Sequence, residues 1–566
     1  MIHTAVNKRL SKILVSIGPI ASIAVLPTIN WDPINPVKLL FIVSAAFYSI
    51  FLLLPNFNKF NQIISKKIWI SIFLFVLALF SSMIFSGAPI GQQFWGTFGR
   101  NTGFVTYFSF TLILISAMVS QDSKLYVKVI NSLIATSVFM TIYCLIQIAK
   151  LDPVGWSELR PFGTLGNINF SSAFFGLSTL CAFALIFDSK KSMLTRLSLG
   201  ILIVVDLSII YYTGSIQGLM MFVAGVGIQG FIYILQRYKQ NIVRLSYLFV
   251  AVIGVILTIL GLANKGPLSK FLFAPSIVFR SDYWHAGWAM TLKFPFFGVG
   301  LDSYGDWYRT VRGEISTLRT GPDRTANTAH NIFLDISSNG GFPLILCYLA
   351  ILFFAFRYGI KVLKTSRTPY QIALFTSWIG FIIFSSISIN QVGVGVWGWL
   401  FTGLLIGNYK FGIQNLGNIK ESSPEMKKVK KSKKSISKNS SMPASNGLFG
   451  LLGLSVGVLI SIIPLQADAK FKTAMQSGAI DKMLLSVQSI GATAFHKEMV
   501  VDVALRNNFQ PQALLLAREL VKQYPRDFMG WRVIAALGDS TNGEKSNAIK
   551  QLEELDPFNP NLTSSK

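Results

Sequence analysis

Apolar runs of roughly 20 residues, the length that crosses a bilayer core, recur along most of this chain, and the breaks between them are short with one exception. A chain so patterned cannot bury its apolar surface in one soluble core. It has to fold as membrane-spanning helices, whose backbone groups find their hydrogen bonds within each segment. The runs lie near 13–29, 37–54, 68–86, 103–119, 126–149, 168–187, 197–213, 216–235, 245–263, 330–356, 371–389, 395–411 and 448–465, about thirteen spans by the length criterion. Only 13% of residues are charged, against roughly 25% in soluble proteins. The first run has no small-residue cleavage site and reads as an uncleaved anchor.

The charge that remains is lopsided, with a formal net charge of +26. A nucleic-acid binder clusters such charge on one folded face, whereas here it alternates between loops. Lys8, Arg9 and Lys12 precede the first run, and Lys59, Lys66 and Lys67 follow the second. Further basic loops follow the fourth, sixth, eighth, tenth and twelfth runs. By the positive-inside rule the amino terminus is expected on the cytoplasmic side of a plasma membrane. The segment 264–329 and everything after Leu465 are then expected outside. Cys144, Cys181 and Cys347 all sit in apolar runs and read as small buried hydrophobes. The four histidines are scattered, with no metal-ligand spacing, so neither metal nor cofactor is expected.

Four pieces follow from this pattern: a multi-span domain 1–411, a basic linker 412–447, a last span 448–465 and a tail 466–566. Between Lys427 and Lys438 seven lysines mix with serine, a composition that cannot bury a core and that is drawn to anionic lipid headgroups. The tail turns charged and helix-favouring, with Pro525 and Pro557 lying 32 positions apart. That spacing approaches the 34-residue tetratricopeptide period, so degenerate helical repeats are expected, resting on the membrane domain or on an envelope protein partner; a plain helical bundle is the alternative.

The exceptional break, Asn264 to Ala329, is 66 residues long with eight Lys/Arg and five Asp/Glu. At that length its cations are not explained by topology, and an anionic ligand is their expected partner. Arg280 and His330 bracket the segment, with Arg309, Arg312, Arg319 and Arg324 between them. Arg100 in Gly99-Arg-Asn-Thr-Gly103 and Arg160 in Arg160-Pro-Phe-Gly163 fall on other expected outer loops. Arginines beside glycines suit a phosphate site, because guanidinium pairs phosphate oxygens bidentately and glycine lets backbone N–H groups approach. Each arginine taken singly also fits a headgroup anchor. His330, at the start of a helix, can take a proton from a hydroxyl near neutrality. Asn331 can orient it or cap the helix, and His285 reads as structural. Asp206 stands alone inside a span, where an ionised carboxylate costs roughly 2.5–3.5 kcal/mol.

Arg280-Ser-Asp-Tyr-Trp284, Pro295-Phe-Phe-Gly298-Val-Gly300, Tyr304 and Ala329-His-Asn331 together resemble the signature region of the O-antigen ligase/polymerase superfamily of membrane glycosyltransferases. The resemblance spans about 90–405 and implies an all-α fold of the GT-C type. It implies metal-independent, inverting transfer of a glycan from an undecaprenyl-diphosphate carrier to a hydroxyl of a lipid, glycan or protein acceptor. Carried onto this sequence, His330 is the base or orients the acceptor, and Arg280 stabilises the departing diphosphate, assisted by Arg100 or Arg160, with Gln217 also at the donor diphosphate. Asn331, Trp284, Tyr304, Gly298 and Gly300 support the site. One departure stands out: Ser215-Ile-Gln217 occupies the place where many members carry Ser-Arg, which removes a charge from the implied diphosphate site. The rival class is a transporter of a small anion or lipid-linked glycan, with Asp206 in a relay.

Overall fold

The computed structural model describes residues 4–59, 64–156, 160–273, 275–420 and 442–563, and every element among them is helical. The membrane part opens with α1 (Thr4–Ile23), α2 (Asn35–Leu53), α3 (Lys66–Phe85), the short α4 (Ile90–Trp95), α5 (Phe104–Val119) and α6 (Leu125–Ile148). It continues through α7 (Ile168–Ile186), α8 (Met193–Thr213), α9 (Gln217–Arg237) and α10 (Asn241–Leu262). The long polar segment folds into α11 (Ser269–Leu272), α12 (Pro275–Lys293), α13 (Tyr304–Val311) and α14 (Glu314–Thr320). Then come α15 (Ile332–Thr365), α16 (Pro369–Ile387), α17 (Val392–Lys420) and α18 (Ala444–Ser477). The tail holds α19 (Ile480–Ser486), α20 (Ala494–Arg506), α21 (Gln510–Gln523), α22 (Phe528–Ala536), α23 (Asn542–Leu555) and α24 (Pro560–Thr563).

Among the described residues 11 helices are long and apolar enough to cross a membrane. The other two expected runs become α5, apolar but only 16 residues long, and α1, which lies earlier than 13–29 at both ends. α1 starts early because Lys8, Arg9 and Lys12 are good helix formers. It stops before Pro27, where Leu26 N–H turns to bond the Pro33 carbonyl. Its open carbonyls at Ala21 and Ser22 accept from the fully buried Lys38 ammonium, both at 2.8 Å. The gap at 213–217 separates two helices: Gly214 takes a left-handed conformation (φ 69°) and closes α8. α17 runs on to Lys420, beyond the expected linker boundary at 412, and the lysine tract at 427–438 lies outside the described residues.

Two devices tie the bundle together. Asp206 on α8 is fully buried, and it accepts from Ser137 and Thr141 on α6 (2.7 and 2.5 Å) and from Ser178 on α7 (3.1 Å). Three hydroxyls from two neighbouring helices satisfy the carboxyl group, so it links helices where a transporter reading needs it to face a pathway. The last span lies along α2 through Gly453 and Gly457. A Cβ on Gly453 would sit 2.5 Å from the Phe47 carbonyl oxygen, and one on Gly457 would sit 2.8 Å from Ser44 Cα. Small residues four apart let two helix backbones close in this way inside a bilayer.

α15 is bent at Gly341, whose φ of 70° and ψ of −174° leave the helical range. The Pro-x-x-Gly-x-Gly segment plugs that bend. Val299 and Gly300 N–H bond the Ser338 and Asn339 carbonyls (2.8 and 3.1 Å), and Phe342 N–H bonds the Pro295 carbonyl (2.7 Å). Gly298 and Gly300 are thus structural residues, both at positive φ. Gly298→Ala would put a Cβ 2.3 Å from the Asn339 carbonyl carbon, on top of the roughly 1–2 kcal/mol that left-handed backbone costs a non-glycine residue. The expected result is a loss of at least that stability, read as a lowered melting temperature in detergent; an unchanged melt would mean that the plug does not constrain the bend.

In the tail, α20 packs on α21 and α22 on α23, and the second helix of each pair stops just short of Pro525 or Pro557. The tail is clamped onto the long segment. Arg312, with no exposed side-chain surface, meets the equally buried Asp556 at 2.7 Å, and Arg309 meets the same carboxylate at 3.0 Å. Arg526 lies over the Trp307 ring at 3.4 Å and bonds the Asp306 carbonyl. On the opposite edge Asp468 accepts from Asn30 (3.0 Å) and faces His496 at 3.2 Å.

Candidate functional site

The segment from α11 to α14 has its own small core, in which Ala286, Met290, Tyr304, Tyr308 and Ala329 are buried together. Its role is to present α12 and the turn before α15 to each other. The Tyr304 hydroxyl donates to the Tyr283 carbonyl at 2.7 Å, and the Tyr283 ring lies against the His330 ring, 5.1 Å between centres. His330 itself is at φ 52°, a strained setting for a residue with a side chain. Asn331 follows as the N-cap of α15, accepting from Phe333 and Leu334 N–H at 3.0 and 3.2 Å. Its side chain is therefore a cap and does not orient the imidazole.

Thr328 does the orienting. Its hydroxyl accepts from His330 N–H at 3.1 Å and lies 3.1 Å from Nδ1, while its carbonyl is 3.4 Å from Nδ1. A proton held on Nδ1 by that carbonyl leaves the Nε2 lone pair free. Burial, reinforced by the charges of Arg280 and Arg100, pushes the imidazole down to about 4, so it is neutral near pH 7. The Thr328 carbonyl opposes the shift only in part.

Arg280 stands on α12, half-buried, and burial lowers its affinity for a proton, though a guanidinium stays charged. Among the described residues it has no hydrogen-bond or ion-pair partner. Arg324 is exposed, and its charge is felt by the Tyr283 hydroxyl. The remaining loop arginines are engaged: Arg309 and Arg312 with Asp556, Arg319 with Asp282 at 3.0 Å. For these three the expected anionic ligand is a carboxylate of the chain itself. That correction leaves Arg280 and Arg324 as the arginines of the segment with no carboxylate partner among the described residues.

Arg100 also departs from expectation. Its glycine-rich loop closes around Asp302, whose carboxylate accepts from Thr97 N–H (2.7 Å), Thr97 hydroxyl (3.1 Å), Thr102 hydroxyl (3.0 Å) and Thr102 N–H (3.4 Å). The loop donors that sequence would offer to a phosphate are taken by this side chain. Arg100 lies 3.4 Å from Asp302 and donates to the Asn327 carbonyl at 2.6 Å, which sets the strand leading to Thr328. Asp335 at the start of α15 accepts from Ala329 N–H at 2.7 Å, which fixes the turn before His330 from the other end.

Arg160 and Gln217 form a second group. The Arg160 guanidinium reaches the Thr213 carbonyl at 3.4 Å and covers Gly214, where a Cβ would fall 2.0 Å from Nη1. Gln217 is buried and its side-chain oxygen has no partner among the described residues. Ser215 donates to Asn169 at 2.8 Å. Both groups lie at one end of the bundle, since Asn35 bonds the Gly99 carbonyl while the neighbouring Ile34 packs on Gly166. No hydrogen bond or ion pair among the described residues joins them directly. Trp284 is 36% exposed, and His285 bonds only the Ser281 carbonyl of its own helix at 2.8 Å. Thr328, Tyr283, Asp302 and Asp335 were not singled out from sequence. Position alone carried a signal: Tyr283 lies inside the Arg280–Trp284 motif, Thr328 directly precedes Ala329-His-Asn331, and Asp302 follows Gly300 by two residues.

No group of His, Cys, Asp and Glu among the described residues has the spacing of a metal site. A search of the curated proteins found no match to the chain. Residues 200–349, from α8 to the bent α15, match the O-antigen ligase family, which indicates glycan ligation or polymerisation in the cell envelope by a multi-pass membrane protein acting on a lipid-linked glycan.

Proposed function

We propose that the chain transfers an oligosaccharide or polysaccharide from an undecaprenyl-diphosphate carrier to an acceptor hydroxyl, on the outer face of the membrane. The observation that carries it is the pairing of an uncompensated, half-buried Arg280 with a deprotonated His330 inside the family-matched stretch. His330 Nε2 takes the acceptor proton as the acceptor oxygen attacks the anomeric carbon from the face opposite the diphosphate. The bond to the diphosphate breaks, and its developing charge meets Arg280 and Arg324. Fixed charge aimed at a developing anion is worth far more in a water-poor site than in bulk. The donor also tunes its own base: its negative charge offsets Arg280 and lifts the imidazole from about 4 toward the operating pH, where a base is most effective.

Arg160 fits the same reading. It brings a guanidinium to the 213–217 turn, where this chain has Gln217 in place of the expected arginine, and so restores a positive charge there. The buried, unpartnered Gln217 oxygen accepts a donor hydroxyl. The amino terminus and the lysine tract then face the cytoplasm, and the tail stands outside as a short helical-repeat domain of tetratricopeptide type.

The test uses lipid-reconstituted protein with an undecaprenyl-diphosphate oligosaccharide and an envelope extract, following release of undecaprenyl diphosphate. Release is expected to continue in EDTA, because arginines supply the charge that a metal ion would otherwise bring. Collapse of release in EDTA, restored by a divalent cation, would overturn the arginine-only mechanism.

A further inference from the structure

We propose that the cleft between the α4–α5 loop, α13 and the tail is a carbohydrate subsite, which takes a neutral or amino-bearing sugar of the acceptor glycan. The proposal rests on the transferase reading above and gives it a second binding element.

The cleft encloses about 270 Å3, near the lower end of the roughly 300–1,000 Å3 range of small-molecule sites. Its walls come from two parts of the chain that meet only because the tail is clamped down. Trp95 and Phe98 enter from the membrane side, and Tyr524 from the tail. Phe98 is fixed by a parallel stack on Phe495, 4.0 Å between ring centres. Trp95 is held as well, its indole N–H donating to the Ile460 carbonyl at 2.9 Å, and fixed aromatic rings can pack against the C–H surface of a sugar. Between them stand acceptors for hydroxyl groups: Asp306 and Glu498 both line the cleft. Asn101 lines it too, at 5% exposure and with a side-chain oxygen that has no partner among the described residues. A buried, unpartnered amide oxygen is costly, and a ligand hydroxyl would satisfy it.

Charge selects the ligand class. Of the acidic residues in the lining, Asp302 is held by Arg100, which leaves Asp306 and Glu498, and the lining contains no lysine, arginine or histidine, so a diphosphate or an acidic sugar is disfavoured. Burial pushes Asp306 up to about 7, which lets it donate as well as accept near neutrality. Position selects the role. Asn327 lines the cleft and precedes His330 by three residues, so their Cα atoms are at most ~11 Å apart on an extended chain. Arg280 and Arg100 act on His330, and Arg100 holds the Asn327 carbonyl. The acidic lining would thus offer the acceptor a region that differs in charge from the arginines that meet the donor.

The test is direct binding to the full-length protein in lipid nanodiscs, by saturation-transfer NMR and titration. The probes are soluble neutral, N-acetylamino, free-amino and uronic-acid oligosaccharides. At least one neutral or amino-bearing probe is expected to bind, with uronic-acid counterparts at least tenfold weaker. Ala492→Trp, which fills the cleft from its rim, and the nearly isosteric Glu498→Gln are each expected to weaken binding tenfold or more with the melting temperature preserved. Preference for the acidic probes, no binding across the panel, or binding indifferent to Glu498→Gln would overturn the subsite. Because binding is read without turnover, loss of the subsite with undecaprenyl diphosphate release intact refutes this proposal alone. Sugar binding without release refutes the transferase reading alone.

Discussion

Replacing His330 with alanine is expected to lower undecaprenyl diphosphate release by roughly 10²–10⁴-fold, the usual contribution of a positioned general base. Arg280→Ala is expected to cost a comparable 10²–10³-fold, the usual effect of removing one charge-stabilising donor. The pH profile separates catalysis by His330 from mere structural support. A base must be unprotonated to act, and burial with two nearby arginines holds His330 down to about 4. The kcat/KM profile, which reports free enzyme, is therefore expected to stay flat down to about pH 5 and to fall as pH drops through about 4. An ordinary histidine would give that fall near 6.5. In kcat the break is expected at higher pH, because bound diphosphate cancels the arginine charge. Arg280→Ala should raise the kcat/KM break, since it removes one of the charges that depress the imidazole. A break near 6.5 in wild type, or release unaffected in His330→Ala, would remove His330 from the chemistry.

The second large effect is one of stability. Asp556→Ala is expected to cost roughly 3–5 kcal/mol of docking free energy, as when one partner of a buried ion pair is removed. Arg312 would keep the Pro322 and Arg324 carbonyls as acceptors but would be left as an uncompensated buried charge. Hydrogen exchange should rise in α22, α23 and α13 while α2, α7 and α17 stay protected. Proteases should cut after α18. If exchange and cleavage do not change, the tail must be held by the Asp468 contacts and the Phe98–Phe495 stack.

Much of the architecture could be read from the sequence because lipid leaves few options. A 20-residue apolar run has to be a helix, and the runs at 168–187, 197–213 and 371–389 differ from α7, α8 and α16 by only a few residues. The errors fall where charge and glycine act against hydropathy. α1 extends back through three basic residues, and α15 continues to Thr365 past an expected end at 356. The site divided in the same way. His330 and Arg280 stood out in the sequence because they bracket the polar segment, and the Arg280 charge helps to keep the imidazole neutral. Arg309, Arg312 and Arg319 looked equally available, because a sequence does not display the distant Asp556 or Asp282 that neutralises each. Gly99 to Gly103 had the composition of a phosphate loop, yet its donors hold Asp302. Glycine-rich backbone binds an anion in either case, and only the fold decides whether that anion belongs to the chain.

α18 is one helix of 34 residues that begins against α2 inside the bundle and ends within the tail, while Asp556, beyond the tail's last long helix, grips α13. The tail is therefore mounted at two points, like a beam fixed at both ends. A domain on a single flexible tether would sample many orientations and raise only the local concentration of whatever it held. A beam fixed at both ends instead sets a bearing. Load on the tail would be taken up by α13, whose Gly305 lies against Asn327, three residues before His330.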